Sequence, residues 1–318
     1  MRIPGFLSLL TALVSLIAGL ALGPAAANIF VVDDRIAVER RPGTPWAAVG
    51  LITQTTPGRD FRFGTVTLVG PCHALTAHHT AFRRIADAGT DEVSHLWFGP
   101  PRAEGPVLGL SSDLLLDNPG VAEQDGEFPW TWRVTARPVV WGDLGAHVHG
   151  DWALLELDQC LGSRLGWWDL TPLRFDEVEA LDPGSLRLVG HPTESPRETA
   201  LLDPACDLYS ELGSVPGWRM DCAVRVGNSG GPVFLDPAEA PAGAAVSGAP
   251  AAVGEAGPLG PRLIAIVKGD FFPQPRGVVI PQWDERAANV ALPVYAFIDA
   301  LRPHLAAGLA RADREARQ

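Results

Sequence analysis

The sequence has few lysines, few tyrosines and no surplus of positive charge. Its 318 residues include one lysine and two tyrosines, and 37 acidic residues outnumber 25 basic ones. The net charge of −12 disfavours nucleic acid and anionic membranes as partners, because both attract proteins rich in Lys and Arg. No segment recurs with a period of about 20–50 residues, which excludes a repeat architecture. The apolar fraction of 47% is still that of a globular protein with its own core.

Long apolar runs are also scarce, apart from one near the N-terminus at residues 6–22. Arg2 precedes this run, and Ala25-Ala26-Ala27 supplies the small residues that a signal peptidase recognises. Its 17 residues are at the lower limit for a membrane-spanning helix, and no basic cluster follows. These features favour a cleaved signal at residues 1–27 over a membrane anchor. We therefore expect a secreted or periplasmic protein without a stable anchor after cleavage.

Cysteine is limited to four residues: Cys72, Cys160, Cys206 and Cys222. None of them forms a Cys-x-x-Cys pair, which disfavours a zinc site built from four thiolates. An even number of cysteines in an exported protein predicts two disulfides. The sequence alone leaves all three pairings open.

Short strand-like runs separated by turn residues make up most of the remaining chain. Runs of β-branched and aromatic residues predict strands at 46–53, 61–69, 134–141, 152–157, 186–189, 219–226, 233–235, 263–267 and 277–280. The segment 293–316 places Val294, Phe297 and Leu301 at helical spacing, and predicts an amphipathic helix that Pro303 bends or interrupts. Many short strands with one terminal helix predict an all-β sandwich or barrel.

Three segments have the composition of connections. Residues 28–45 are charged and mixed, and we interpret them as an N-terminal lead-in or a pro-segment. Residues 99–130 are rich in Gly, Pro and Asp and predict long surface loops. Residues 236–261 consist largely of Ala, Gly and Pro, which predicts a flexible loop because such a segment buries little apolar surface.

The stretch Gly227-Asn228-Ser229-Gly230-Gly231-Pro232 places a serine among small residues. A substrate carbonyl could approach the Ser229 hydroxyl without a steric barrier. Glycine at 227 lets successive N–H groups turn toward one point, which is what an oxyanion hole requires. Taken alone, the stretch could also be a tight turn before a strand.

A serine nucleophile needs a base to take its proton and a third group to orient that base. Among the eight histidines, His79 is notable because it follows Leu75-Thr76-Ala77 at the end of a strand-like run. Asp151 opens an apolar strand, where a buried carboxylate needs a strong partner such as an imidazole N–H. His147 and His149 lie just before it and are interpreted as loop residues near the site.

Three motifs together resemble those of trypsin-like serine peptidases. Leu75-Thr76-Ala77-His78-His79 is similar to the family's Leu-Thr-Ala-Ala-His, with His78 where a small residue is usual. Asp151-Trp152-Ala153-Leu154-Leu155 resembles Asp-Ile-Ala-Leu-Leu, and the Ser229 stretch resembles Gly-Asp-Ser-Gly-Gly-Pro. They occur in the family's order, 72 and 78 residues apart, and the resemblance covers roughly residues 46–305.

The resemblance implies two six-stranded antiparallel β-barrels with the active site between them. The barrels would span 46–165 and 166–305, followed by a C-terminal tail at 306–318. His79 would be the base, Asp151 its orienting partner and Ser229 the nucleophile, with an oxyanion hole formed by the N–H groups of Gly227 and Ser229. A monomeric endopeptidase acting on protein or peptide, without metal or cofactor, is the implied function.

Two departures from trypsin matter. Asn228 stands where trypsin has the aspartate that pairs with a freshly cut N-terminus, so we expect that activation switch to be absent, as in bacterial branches that include glutamyl endopeptidases. Ala223, six residues before Ser229, stands where trypsin has the aspartate that selects Lys and Arg, so trypsin-type specificity is not expected. Arg225 and Lys268 are the other candidates for the specificity pocket, and their charge would suit an acidic residue.

In this arrangement a Cys72–Cys160 disulfide would join the two strands of the first barrel that present His79 and Asp151. Closing this loop of about 88 residues would stabilise the protein by roughly 4–5 kcal/mol in the chain-entropy model. Cys206 and Cys222 would then pair near the specificity pocket.

Other functions remain open at this stage. Gly227-x-Ser229-x-Gly231 also fits the nucleophile elbow of α/β-hydrolases, and hence an esterase, but that fold needs Asp and His after the serine and only His304 follows. His147-x-His149-x-Asp151 resembles half of the metallo-β-lactamase metal motif, which expects a histidine where Trp152 stands.

A protease fold with a dead site, serving as a binding module, is a third alternative. The remaining histidines His73, His95 and His191 are interpreted as surface or hydrogen-bonded residues without a catalytic role.

Overall fold

The computed structural model describes residues 28–55, 61–82, 94–101, 130–144, 148–193, 195, 199–213, 215–236, 258–270 and 279–318. The first eight strands are β1 Ile29–Phe30, β2 Ile36–Val38, β3 Val49–Thr55, β4 Phe61–Gly70, β5 His73–Thr76, β6 Ser94–Pro101, β7 Trp130–Trp141 and β8 Ala153–Leu157. The later strands are β9 Trp167–Leu170, β10 Leu186–Gly190, β11 Ala200–Cys206, β12 Leu208–Leu212, β13 Val215–Met220, β14 Pro232–Leu235, β15 Pro258–Asp270, β16 Val279–Ile280 and β17 Asn289–Pro293. The α-helices are α1 His78–Ala81, α2 Gly162–Leu165, α3 Phe175–Glu179 and α4 Ile298–Glu315.

The first half of the chain forms a closed antiparallel barrel of six strands in the order β3-β4-β5-β8-β7-β6. Strands β3 and β4 form a hairpin with continuous register from Val49↔Thr67 to Thr55↔Phe61. Strand β5 pairs with β8 so that Thr76 lies opposite Ala153. This pairing brings the residues just after β5 and just before β8 to the same end of the barrel.

The second half forms a sheet ordered β12-β13-β17-β15-β14-β10-β11-β2, with β9 alongside β15. It has nine strands in the described part of the chain, where the resemblance implied six. The β9–β15 pairing is parallel. One of the extra strands comes from the N-terminal lead-in, because β2 pairs with β11, while β1 pairs with β16 in a separate two-stranded sheet.

The fold is all-β with one long C-terminal helix, as the sequence predicts. One apolar core fills the barrel and continues under helix α4, where it includes Leu75, Leu154 and Leu301. A second core lies within the other sheet and contains Trp218, Val233 and Ile264. Among the described residues, no helix is both long and apolar enough to cross a membrane.

Helix α4 runs through Pro303 without interruption, contrary to one of the two outcomes expected for that proline. Proline removes one helical hydrogen bond, and tertiary contacts to the barrel offset the loss. Arg311 makes the main polar contacts, donating to the backbone carbonyls of Leu157 at 2.8 Å and Asp158 at 2.7 Å.

The strand predicted at 219–226 ends early, because β13 stops at Met220. The following backbone is held by groups outside the sheet. The Ala223 N–H donates to the Asp203 carboxylate at 2.5 Å, and the Val224 N–H donates to the carbonyl of Asn28 at 3.1 Å. A segment whose N–H groups point to a side chain and to a distant loop cannot continue a ladder.

Two predicted loops lie mostly outside the described residues. For the segment 99–130, the described ends belong to β6 and β7. For the segment 236–261, residues 258–261 belong to β15, while 237–257 are not among the described residues.

Candidate active site

His79 and Asp151 are joined by hydrogen bonds at the end of the barrel where β5 and β8 pair. The Nδ1 atom of His79 lies 2.9 Å from Oδ1 and 2.8 Å from Oδ2 of Asp151. The His79 backbone N–H also donates to Oδ1 at 2.9 Å. An ionised carboxylate only accepts, so Nδ1 carries the proton and Nε2 is left as the basic nitrogen.

Burial and charge act in opposite directions on Asp151, whose side chain is only 3% exposed. Burial by itself would raise the pKa of the Asp151 carboxyl, but the charge and hydrogen bonds of His79, with a further contribution from Lys268, bring the pKa below its usual value. Asp151 is therefore a carboxylate at neutral pH and can orient and stabilise a protonated imidazole.

The neighbouring histidine, His78, points elsewhere. Its Nδ1 lies 2.8 Å from the carbonyl oxygen of Gly142, and its ring meets Phe82 edge to face at 4.4 Å between centroids. His78 is buried, whereas the His79 side chain is 35% exposed. Of the two adjacent histidines, His79 is the one that is paired with Asp151 and partly exposed.

The loop that carries Ser229 has its carbonyl groups satisfied one after another. The carbonyl of Val226 accepts from the Thr193 N–H at 2.8 Å, and that of Asn228 accepts from the Gly231 N–H at 2.7 Å. In a trans peptide the N–H points opposite to the C=O, so these bonds direct the N–H groups of Gly227 and Ser229. Within the described residues neither N–H has an acceptor, and Gly227 has φ +99°, which favours glycine.

This loop packs directly on the strands that lead to His79. The Thr65 N–H on β4 donates to the Ser229 carbonyl at 2.9 Å. Gly230, with φ +81°, lies so close to Thr76 and Ala77 that a side chain at this position would overlap them. The Ser229 loop and the His79 turn are thus immediate neighbours across the two halves of the molecule.

Ala223 and Arg225 belong to the irregular segment just before Ser229. Ala223 is buried against Asp203, and burial of that carboxyl raises its pKa to about 6 despite the N–H groups of Ala223 and Ala205 that it accepts. The Arg225 N–H donates to Oδ1 of Asn228 at 3.1 Å. Asp203, which was not identified in the sequence, thus supports a predicted pocket residue.

Lys268 lies on a different element from these two residues. It lies on β15 directly after Val267, whose N–H and C=O both bond the backbone of the Ser229 loop. Its positive charge acts on Asp151. The structure therefore associates Lys268 with the His79–Asp151 pair.

Asn228 is fully buried behind Ser229. Its Oδ1 accepts the Arg225 N–H, while its Nδ2 has no hydrogen-bond partner in the described part of the chain. A neutral amide at this position needs no buried cation to neutralise it, as an aspartate would.

Asn28, in the N-terminal lead-in, packs against the irregular segment that precedes Ser229. Asn28 is buried, and its carbonyl accepts from Nδ2 of Asn289 at 2.7 Å as well as from the Val224 N–H. Asn289 also donates to the Cys222 carbonyl at 2.8 Å. The backbone from Cys222 to Val224 is therefore held by Asn28 of the lead-in and by Asn289 of β17.

Both disulfides implied by the resemblance are present in the structure, Cys72–Cys160 and Cys206–Cys222. Cys72 precedes β5, and Cys160 follows β8, so the first bridge ties together the strands that carry His79 and Asp151. The second links the end of β11 to the loop that follows β13.

The other histidines differ from the expectation for them in one case. His73 is neither exposed nor hydrogen-bonded, since it is 3% exposed and its Nδ1 has no partner among the described residues. His95 lies 3.3 Å from Arg133. His147 lies outside the described residues, and within them no group of His, Cys, Asp and Glu is arranged to hold a metal ion.

No protein-family model matches the chain, and no curated protein sequence matches it. A comparison with solved structures does find similar folds. A Glu endopeptidase solved in complex with MPD has a TM-score of 0.52 and 13% identity, covering 87% of this chain and 99% of the other.

Two further similar structures are a serine endoprotease from Yersinia pestis and the protease Anisep from Arthrobacter nicotinovorans. The first has a TM-score of 0.43 and 16% identity over 84% of this chain and 64% of the other, and the second has 0.46 and 13% over 84% and 99%. At these identities the likeness is one of fold. The chain has the fold of the Glu endopeptidase, as the three sequence motifs led us to expect.

Proposed function

We propose that this protein is a serine endopeptidase in which Ser229, His79 and Asp151 form the catalytic triad. The observation that carries the proposal is the paired His79 and Asp151 beside a serine loop with two unpaired N–H groups. The fold shared with the Glu endopeptidase supports the same conclusion.

In the proposed reaction, Ser229 Oγ attacks the scissile carbonyl carbon while Nε2 of His79 takes the hydroxyl proton. Asp151 stabilises the resulting imidazolium through Nδ1–H. The N–H groups of Gly227 and Ser229 hold the oxyanion, each worth about 10²–10³-fold in rate. His79 then returns the proton to the leaving amine, and water hydrolyses the acyl-enzyme by the same steps in reverse order.

The proposed substrate is a protein or peptide without a trypsin-type preference, because Ala223 offers no negative charge to Lys or Arg. Arg225 would favour an acidic residue, and Lys268 would add to the positive potential of the site. The charge of Arg225 also acts on Asp33. The pKa of the Asp33 carboxyl is lowered mainly by its hydrogen bond to Arg35 and further by Arg225. The neutral Asn228 supports a site that matures without insertion of a new N-terminus.

The proposed location is outside the cytoplasm. Both disulfides belong to an oxidising compartment, and the signal expected at residues 1–27 would direct export. We propose that the mature enzyme is a monomer without a membrane anchor.

A fluorophosphonate probe tests the proposed nucleophile. We expect the disulfide-bonded protein to be labelled at Ser229, with labelling abolished in Ser229→Ala and by prior heat denaturation. Absence of Ser229-dependent labelling would overturn the proposal and leave a protease fold that serves as a binding module.

A peptide library separates peptidase from esterase activity and reports the preferred residue in the same measurement. Cleavage of amide bonds at defined positions is the expected result. Hydrolysis of simple esters with no peptide cleavage would instead identify an esterase that uses the same serine.

A further inference from the structure

Thr65, on strand β4 of the barrel, contacts the Ser229 loop at two points. Its backbone N–H donates to the Ser229 carbonyl at 2.9 Å, and its Oγ1 donates to the Gly227 carbonyl at 2.8 Å. These two carbonyls flank Asn228, so Thr65 holds the loop backbone by hydrogen bonds on both sides of that residue. Thr65 itself is fully buried.

The hydroxyl of Thr65 has its direction set by a third contact. The backbone N–H of His191 donates to Oγ1 at 2.9 Å, which uses one lone pair of the oxygen. The hydroxyl proton is then available for the Gly227 carbonyl. The backbone carbonyl of Thr65 is also fixed, because Thr76 Oγ1 donates to it at 2.7 Å.

These contacts complete the set of donors to the loop. Thr193 and Gly231 hold the carbonyls of Val226 and Asn228, and Thr65 holds those of Gly227 and Ser229. A rotation of the Gly227 peptide would turn the N–H groups on either side of it away from the substrate. The Thr65 hydroxyl is the one donor in this set that a side-chain substitution removes.

We infer that Thr65 is a positioning residue for the oxyanion hole, acting through its hydroxyl on the Gly227 carbonyl. The inference rests on the proposed peptidase function. It links the two halves of the molecule, because β4 also pairs with β5, which leads to His79. Thr65 thereby helps to set the distance between His79 and the N–H groups of Gly227 and Ser229.

The test compares Thr65→Val with Thr65→Ser and with a matched control, Thr67→Val. Thr67 lies two residues along the same strand, is equally buried, and its Oγ1 has no hydrogen-bond partner among the described residues. For Thr65→Val we expect kcat to fall about 10–100-fold, while KM stays within about twofold, because the hydroxyl acts when the oxyanion forms. Thr65→Ser should recover most of the loss, and Thr67→Val should retain wild-type kcat.

A peptide aldehyde supplies a second readout, because its hemiacetal oxygen occupies the oxyanion hole. Its inhibition constant should rise for Thr65→Val in proportion to the fall in kcat/KM, while binding of the cleaved product stays unchanged. If valine prevents folding, Thr65→Ala, which only removes atoms, replaces it in the same comparison.

An unchanged kcat in folded Thr65→Val or Thr65→Ala would overturn the inference while leaving the proposed peptidase intact. So would equal losses in Thr65→Val and Thr67→Val. Failure of the wild type to label at Ser229 would overturn the proposed function, and this inference with it.

Discussion

The carboxylate of Asp203, within β11, accepts the backbone N–H of Ala223 in the irregular segment after β13 at 2.5 Å, although the two residues are 20 positions apart in the sequence. Asp203 is 3% exposed, and burial raises its pKa to about 6. Because this carboxyl changes its protonation state near pH 6, the strength of its hydrogen bond to the Ala223 N–H depends on pH. The same contact explains why the chain leaves the sheet after Met220.

The raised pKa of Asp203 predicts a pH-dependent contribution to stability. The folded-state pKa exceeds the unfolded value of 3.8, so the contribution is fully present below about pH 4 and is lost as pH rises through 6. Asp203→Asn keeps an oxygen for the Ala223 N–H without the charge. We expect its unfolding free energy, relative to wild type, to rise by about 2–3 kcal/mol between pH 4 and pH 8.

Urea unfolding of both proteins across this pH range measures that difference. A relative stability that does not change with pH would show that Asp203 titrates normally.

Lys268 is predicted to favour the ionised form of Asp151 through its positive charge. Removing the charge in Lys268→Met should make protonation of the pair easier. We therefore expect the acid limb of the kcat/KM profile to move to higher pH. Lys268→Arg keeps the charge and should retain the wild-type profile.

The measurement is kcat/KM for one peptide substrate from pH 4 to 9, at low and high salt. High salt should reduce the shift, because it screens a partly exposed charge. An acid limb that stays in place for Lys268→Met would show that Lys268 acts elsewhere, for example in the specificity pocket.

The sequence was most informative where chemistry and spacing coincide. His79, Asp151 and Ser229 carry side chains that the proposed reaction requires, each lies beside a strand with an apolar pattern, and the first two are paired in the structure. The short strands β1, β2 and β17 were missed, because two to five residues give too little periodicity to distinguish a strand from a loop. The positions of β1 and β2 also depend on partners more than 150 residues away, such as Val279 for Ile29.

Supporting residues of the site were harder to find for a different reason. Thr65 and Thr193 act through one hydroxyl and one backbone N–H, and a threonine in or after a strand is ordinary in sequence. Asp203 lies in a strand-forming segment, where nothing predicts that its carboxylate turns inward. Such contacts arise only from the three-dimensional arrangement of the two halves.

The adjacent histidines His78 and His79 are predicted to differ completely in function. His79→Ala removes the proposed base and should reduce kcat/KM by about 10⁴-fold or more. His78→Asn keeps an N–H donor for the Gly142 carbonyl and should retain most activity, with a loss of stability from the smaller side chain. The comparison uses peptide cleavage rates corrected for the folded fraction from circular dichroism. Equal loss in both variants at equal folded fraction would contradict the assignment of His79 as the base.

His73 is predicted to destabilise the protein in acid through its place under helix α4. Its ring contacts the backbone of Gly308, and burial, reinforced by the charges of His304 and Arg311, lowers its pKa to about 4. Because the unfolded chain binds a proton near pH 6.5 and the folded protein does not, stability is lost as pH falls from 6.5 to 4. Glu156, opposite His73 on β8, is engaged by Arg311 at 3.3 Å and offers His73 little compensation.

This dependence is opposite in sign to that of Asp203, so the two partly cancel in the wild type between pH 4 and 6. His73→Leu should therefore expose the Asp203 effect, with the variant gaining about 3 kcal/mol relative to wild type as pH falls from 7 to 4. The double variant with Asp203→Asn should show neither trend. Thermal unfolding at pH 4, 5, 6 and 7 distinguishes these cases, and a His73→Leu variant that parallels wild type at every pH would show that His73 has the same pKa in the folded and unfolded protein.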